Sequence, residues 1–64
     1  MIVVKRFAEF DRLEEECVKK ASDKLNEYIE FNSISREDIM DCRTEIKQGG
    51  ISMMVEITLT YWKN

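Results

Sequence analysis

The stretch Met40–Trp62, MDCRTEIKQGGISMMVEITLTYW, decides the fold. A run of strand character reaches Gly49-Gly50, and a second run, from Ile51 to Trp62, alternates apolar and polar residues almost without fault. A glycine pair between two such runs signals a hairpin. Counted outward from a Gly49-Gly50 turn, Gln48 faces Ile51, Ile46 faces Met53, Thr44 faces Val55, Cys42 faces Ile57 and Met40 faces Leu59. A two-residue loop conserves face parity, so these pairs share the side of the sheet that closes the core. On the other side Arg43 is expected opposite Glu56, a cross-strand pair of opposite charge.

Working outward, Ile2 to Phe7 is rich in β-branched and aromatic residues and reads as a first strand; Ile2 and Val4 are its expected inner face, although Val3 and Phe7 make the alternation ambiguous. Asp11 and Glu14 have capping-box spacing and predict a helix start. Leu13, Cys17, Ala21, Leu25 and Tyr28 then recur at helical period, with Phe10 ahead of them and Val18 and Ile29 widening the stripe. Glu14, Glu15 and Glu16 suit the helix dipole, and Glu15–Lys19 and Glu16–Lys20 are spaced for i,i+4 pairs. The helix is expected to fade near Phe31-Asn32, with asparagine as a left-handed cap. Ser35 to Asp38 predicts one further helical turn. A helix of about 20 residues is ~30 Å long and matches strands of ~30–40 Å.

The expected fold is therefore α+β, in the order β-α-β-β: a three-stranded antiparallel sheet, order 1-3-2, with one long helix on one face. The last strand is the longest and most apolar, which favours the centre. A parallel arrangement of the first two strands would put it on an edge, where it would invite aggregation.

With 64 residues the chain has room for one domain, residues 1–64. A chain of this length buries only ~60% of its unfolded surface, so oligomerisation is expected to supplement the core. The formal charge of −3 disfavours nucleic acid and anionic membranes as partners. The apolar start is cut by Lys5 and Arg6, far short of a signal peptide or membrane span. Nothing points to export, so a reducing cytoplasm is the expected setting, with Cys17 and Cys42 as small buried hydrophobes rather than a disulfide.

Catalytic chemistry is poorly provided for. With no histidine, Ser–His, Cys–His and most zinc arrangements fall away. Glu14, Glu15 and Glu16 point about 100° apart on a helix and do not converge on a metal. Gly49-Gly50 joins two strands rather than opening a helix, so it is no phosphate loop. Neither catalytic, cofactor-binding nor metal-binding residues are assigned, and a non-enzymatic role is expected. The sheet face away from the helix carries Ser52, Met54, Glu56, Thr58, Thr60 and Trp62 with Asp41, Arg43, Glu45 and Lys47, and Val3 and Lys5 are expected to join it. A solvated face accounts for the threonines and charges; Met54 and Trp62 are residue types enriched at interfaces. Arg43, Glu45, Met54, Glu56, Thr58, Thr60 and Trp62 are the candidate interaction surface. A single Trp beside Lys63, with Glu45 and Glu56 in mid-face, makes a weak single-strand binder, and −3 is thin for a nucleic-acid mimic.

Val4-Lys5-Arg6-Phe7, Leu13-Glu14-Glu15, Ile39-Met40-Asp41, Gly49-Gly50 and the closing Leu59-Thr60-Tyr61-Trp62-Lys63 together resemble a family of ~60-residue sporulation-associated proteins of spore-forming bacteria and their phages. That resemblance covers most of the chain and implies a sporulation or phage setting, with no catalytic residues. At fold level the β-α-β-β order also resembles dodecins, flavin-binding assemblies of many small subunits, which implies self-association. The flavin-stacking tryptophan of dodecins lies on the strand after the helix; here the tryptophan is Trp62 on the last strand, so flavin binding does not carry over. The expected function is a small binding protein acting by self-association or through a protein partner on the open face. The alternative is an oligomeric, dodecin-like small-molecule binding or sequestering protein.

Overall fold

The structure, a computed structural model, describes residues Met1–Asn64. Strand β1 (Ile2–Asp11) leads into helix α1 (Glu14–Phe31), a 3-10 turn (Arg36–Asp38), strand β2 (Ile39–Gly49) and strand β3 (Ser52–Trp62). The sheet is antiparallel throughout in the order β1-β3-β2, so the expected α+β architecture and the central place of the last strand both hold. The chain ends are tied together: the amide of Lys63 donates to the carbonyl of Met1 at 2.7 Å.

The core is built on the odd-numbered side chains of β3. Val55, Ile57, Leu59 and Tyr61 are buried with Phe7 of β1 and Cys17 and Ala21 of α1. The two helix residues at the contact are small, and this lets the helix lie close to the sheet. The Cys17 Sγ donates to the carbonyl of Glu9 at 3.0 Å and lies 3.6 Å from that of Met53, reaching the backbones of two strands at once. A helix is ~10–12 Å wide and strands are ~4.8 Å apart, so one helix covers two strands of three. Helix α1 packs on β1 and β3, and β2 is exposed from Met40 to Gly49. The expected closure of the core by Cys42, Thr44 and Ile46 is thus corrected. They do face the helix side, but the helix does not reach them, and Cys42 is an exposed free thiol.

The hairpin register differs by two residues from the sequence reading. Gly49 pairs with Ser52, Ile46 with Val55, Thr44 with Ile57 and Cys42 with Leu59. The turn is Gly50-Ile51, with Gly50 at φ 65°, since a primed hairpin turn needs a positive φ at its first central residue. Ile51, expected on the inner face, is an exposed turn residue. A two-residue shift keeps every side chain on its face. Met40 is the exception: a bulge between Ile39 and Asp41 makes it the extra residue, and Ile39, opposite Tyr61, packs on the core in its place.

Strand β1 runs to Asp11, and its faces are the reverse of those expected. Val3, Lys5, Phe7, Glu9 and Asp11 lie opposite Tyr61, Leu59, Ile57, Val55 and Met53 and so share the helix side. The charged members are partnered there. Lys24 pairs with Glu9 at 2.7 Å, Lys20 with Asp11 at 2.7 Å, and Lys5 lies 5.6 Å from the centre of the Tyr28 ring. Lys20 therefore serves β1 rather than the expected i,i+4 pair with Glu16. The hydrogen bond from Lys20, helped by the Leu13 amide, holds the Asp11 carboxyl below its usual value. Because Asp11 is a strand residue, no capping box forms; Leu13 is the N-cap, and it and Phe10 are exposed.

At its other end α1 closes with a Schellman motif. Ser33 donates to Glu30 at 3.1 Å and Ile34 to Ile29 at 3.0 Å, and Ser33, not Asn32, takes the left-handed conformation at φ 50°. Ile29 and Ile34 then pack against the core. The left-handed region costs a non-glycine residue about 1–2 kcal/mol, partly offset by the entropy glycine loses. Ser33→Gly is expected to stabilise the fold by about 0.5–1 kcal/mol in urea unfolding. Leu59→Ala, at a side chain 1% exposed, is expected to cost about 2–5 kcal/mol and to leave so small a domain largely unfolded.

Candidate functional site

The register places the outer sheet face in rows that run across β1, β3 and β2. Val4, Thr60 and Asp41 form one row, and Arg6, Thr58 and Arg43 the next. Ala8, Glu56 and Glu45 follow, and then Phe10, Met54 and Lys47. Ile2 and Trp62 pair beyond the first row. All seven candidate residues, Arg43, Glu45, Met54, Glu56, Thr58, Thr60 and Trp62, lie on this face. Val3 and Lys5 do not, because the faces of β1 are reversed.

Sequence reading found Met54 and Trp62 but missed the apolar residues that β1 adds to the surface, Ile2, Val4 and Phe10. Ile2, Val4 and Trp62 are 55%, 57% and 47% exposed at one end of the outer face, and Phe10, 63% exposed, lies beside Met54 at the other. Isolated exposed hydrophobics are ordinary, but neighbouring ones, such as Ile2, Val4 and Trp62 at one end of this face, mark an interaction surface. Its signal was present: Ile2, Val4, Ala8 and Phe10 are spaced at period two, but Phe10 counts only if the strand is carried past Phe7.

The charges also differ from expectation. Arg43 does not face Glu56: it lies opposite Thr58, and its Nε pairs with Asp41 two residues back at 2.8 Å. Glu45 faces Glu56 instead, a like-charge opposition, while Lys47 lies 3.8 Å from Glu45. Arg6 and Glu56 make no ion pair within the chain. The outer face thus carries a row of arginines beside a row of glutamates.

A second feature lies at the β1 edge. An open groove of about 540 Å³ runs between β1 and α1, lined among others by Lys5, Lys24, Tyr28 and Phe31. Tyr28 connects it to the core: its ring meets Phe7 and Tyr61 edge-on, with centroids 5.4 and 6.0 Å apart, and its hydroxyl shares a 2.7 Å hydrogen bond with that of Tyr61. No three His, Cys, Asp or Glu side chains converge as a metal ligand set, and no helix is long and apolar enough to cross a membrane. No protein-family model, curated protein or solved structure matches the chain.

The hydrogen bond to Tyr61, followed by burial, raises the Tyr28 hydroxyl above its usual value of 10.0. The folded state therefore favours the neutral phenol. Its contribution to stability is complete below pH 10 and is lost as the pH rises from there through the raised value. Tyr28→Phe is expected to cost about 1 kcal/mol at pH 7. It is also expected to flatten the decline above pH 10, read as the difference between the two proteins' unfolding midpoints against pH.

Proposed function

We propose that this chain is a small non-enzymatic interaction protein that works by self-association or by docking a protein partner on the outer face of its sheet. The observation that carries this reading is the outer face itself: Ile2, Val4 and Trp62 stand exposed at one end and Phe10, beside Met54, at the other, with a set of ordered charges along the face. A core of seven buried residues adds to it, since covering that face would supply burial that the isolated chain lacks. The resemblance noted in the sequence supports a sporulation- or phage-linked setting for the interaction, and the two unpaired cysteines fit a cytoplasmic one.

Trp62 is the chain's single tryptophan and lies on the proposed surface, so its fluorescence reports cover directly. Acrylamide quenching of Trp62 is expected to fall as the complex forms, and Met54→Glu is expected to abolish both the complex and the shielding. Unchanged quenching on association, with Met54→Glu as competent as the parent, would remove the outer face from consideration.

The groove between β1 and α1 favours a second reading, an oligomer that binds or sequesters a small molecule beside Tyr28 and Phe31. Native mass spectrometry of the purified protein distinguishes it. A retained ligand lost in Lys24→Glu supports the groove, and a bare polypeptide mass counts against it.

A further inference from the structure

We infer that the occupant of the outer face is a second copy of this chain, docked sheet to sheet across a two-fold axis that runs along the row Phe7–Ile57–Thr44. This rests on the proposal that the outer face is an interface. Phe7 pairs with Ile57, and Ile57 with Thr44, so the three residues form one straight row across the sheet. Counting away from that row in both directions gives each outer-face residue its mate in the other copy. Arg43 meets the partner's Glu45, and Asp41 meets the partner's Lys47. Val4 meets the partner's Phe10, Thr60 its Met54, and Thr58 its Glu56.

The outward charges of β2, Asp41, Arg43, Glu45 and Lys47, alternate in sign. Read backwards against itself this column is its own complement, with all four contacts opposite in sign. A two-fold parallel to the strands would instead place the row of Arg6, Thr58 and Arg43 over itself. Arg6 and Glu56, unpaired within one chain, fall on facing rows and come within reach of each other across the axis. Part of the apolar surface fits the same operation: Val4 meets the partner's Phe10, while Trp62 falls opposite the partner's Ser52 at the hairpin end. A hollow of about 230 Å³ at the hairpin end, lined by Phe10, Lys47, Ser52 and Met54 of the outer face and reaching Gln48 and Met53, borders the rows where the partner's Val4 and Thr60 arrive.

Three strands of about ten residues present a footprint of roughly 500 Å² per copy. Both copies together reach about 1,000 Å², the lower bound of a specific interface. Aligned sheets cross at about 30°, so contacts near the axis match best. Arg43 with Glu45 of the partner is therefore the pair to test.

The experiment compares the parent, Arg43→Glu, Glu45→Lys, the double exchange Arg43→Glu/Glu45→Lys, and an equimolar mixture of the two single variants. Mass is measured by light scattering and native mass spectrometry from micromolar to millimolar concentration, with circular dichroism to confirm folding. A dimeric parent is expected. Each single variant places two like-charge pairs across the axis and is expected to dimerise at least about tenfold more weakly. The mixture is expected to restore dimers, predominantly heterodimers. In them the introduced glutamate meets the introduced lysine at one contact, and the unaltered Arg43 meets the unaltered Glu45 at its symmetry mate. The double exchange is expected to restore the homodimer although it sets like charges side by side along β2, which an effect within one chain would not do. A parent that stays monomeric at every concentration overturns the second copy as occupant. Single variants that dimerise like the parent, or a mixture without heterodimers, overturn the axis. If the parent dimerises but the axis fails, Met54→Glu still reports on the face itself: the reading of the outer face fails if Met54→Glu leaves the dimer and the Trp62 shielding intact.

Discussion

The close approach of α1 to the sheet at Cys17 and Ala21 is the constraint on which the rest of the structure depends. Both residues are fully buried, and the Cys17 thiol reaches the carbonyls of Glu9 and Met53. A larger side chain at either place would lift the helix and open voids over Val55 and Leu59, because interiors pack to near-crystalline density. Seated that low, the helix covers β1 and β3, leaving β2 exposed on both sides. The open surfaces of this protein follow from the width of one helix set against three strands.

Polar contacts hold the helix along the β1 edge, where the core gives out. Residues Lys20, Lys24 and Tyr28 recur every four positions and stand over Asp11, Glu9 and Phe7, which recur every two. Four helical residues rise about 6.0 Å and two strand residues about 6.6 Å, so three successive rungs remain in step. Exposed ion pairs contribute little energy individually. Their effect here is geometric: they fix which edge of the helix lies over β1.

The topology was legible because β3 alternates so cleanly that its face and central position follow from pattern alone. Its partner's faces followed by parity, as did the positions of all seven candidate residues. Register did not follow, since Gly49-Gly50 offers two adjacent glycines and only the backbone shows that Gly50 and Ile51 make the turn. The Arg43–Glu56 pair was lost with it. The β1 faces misled for a different reason. Ile2 and Val4 are more apolar than Lys5, Glu9 and Asp11, and the rule that apolar residues face inward fails where helix lysines sit over the strand's carboxylates. The exposed Ile2, Val4 and Phe10 were hidden by the same error.

The bulge at Met40 has a consequence for how the hairpin finds its alignment. A regular two-stranded ribbon with alternating faces tolerates a slip of two residues, because every side chain returns to its own side. The bulge removes that freedom. It anchors Ile39 at Tyr61 at one end, as Gly50 anchors the turn at the other, and a single spacing fits between: Asp41–Gly49 against Ser52–Thr60, nine residues on each strand. It also inverts the phase of β2, so that Ile39 enters the core while Asp41, Arg43, Glu45 and Lys47 all point outward. One inserted residue thus acts as both a ruler and a phase switch, and the order of charges shown to any partner is set at the opposite end of the strand from the turn.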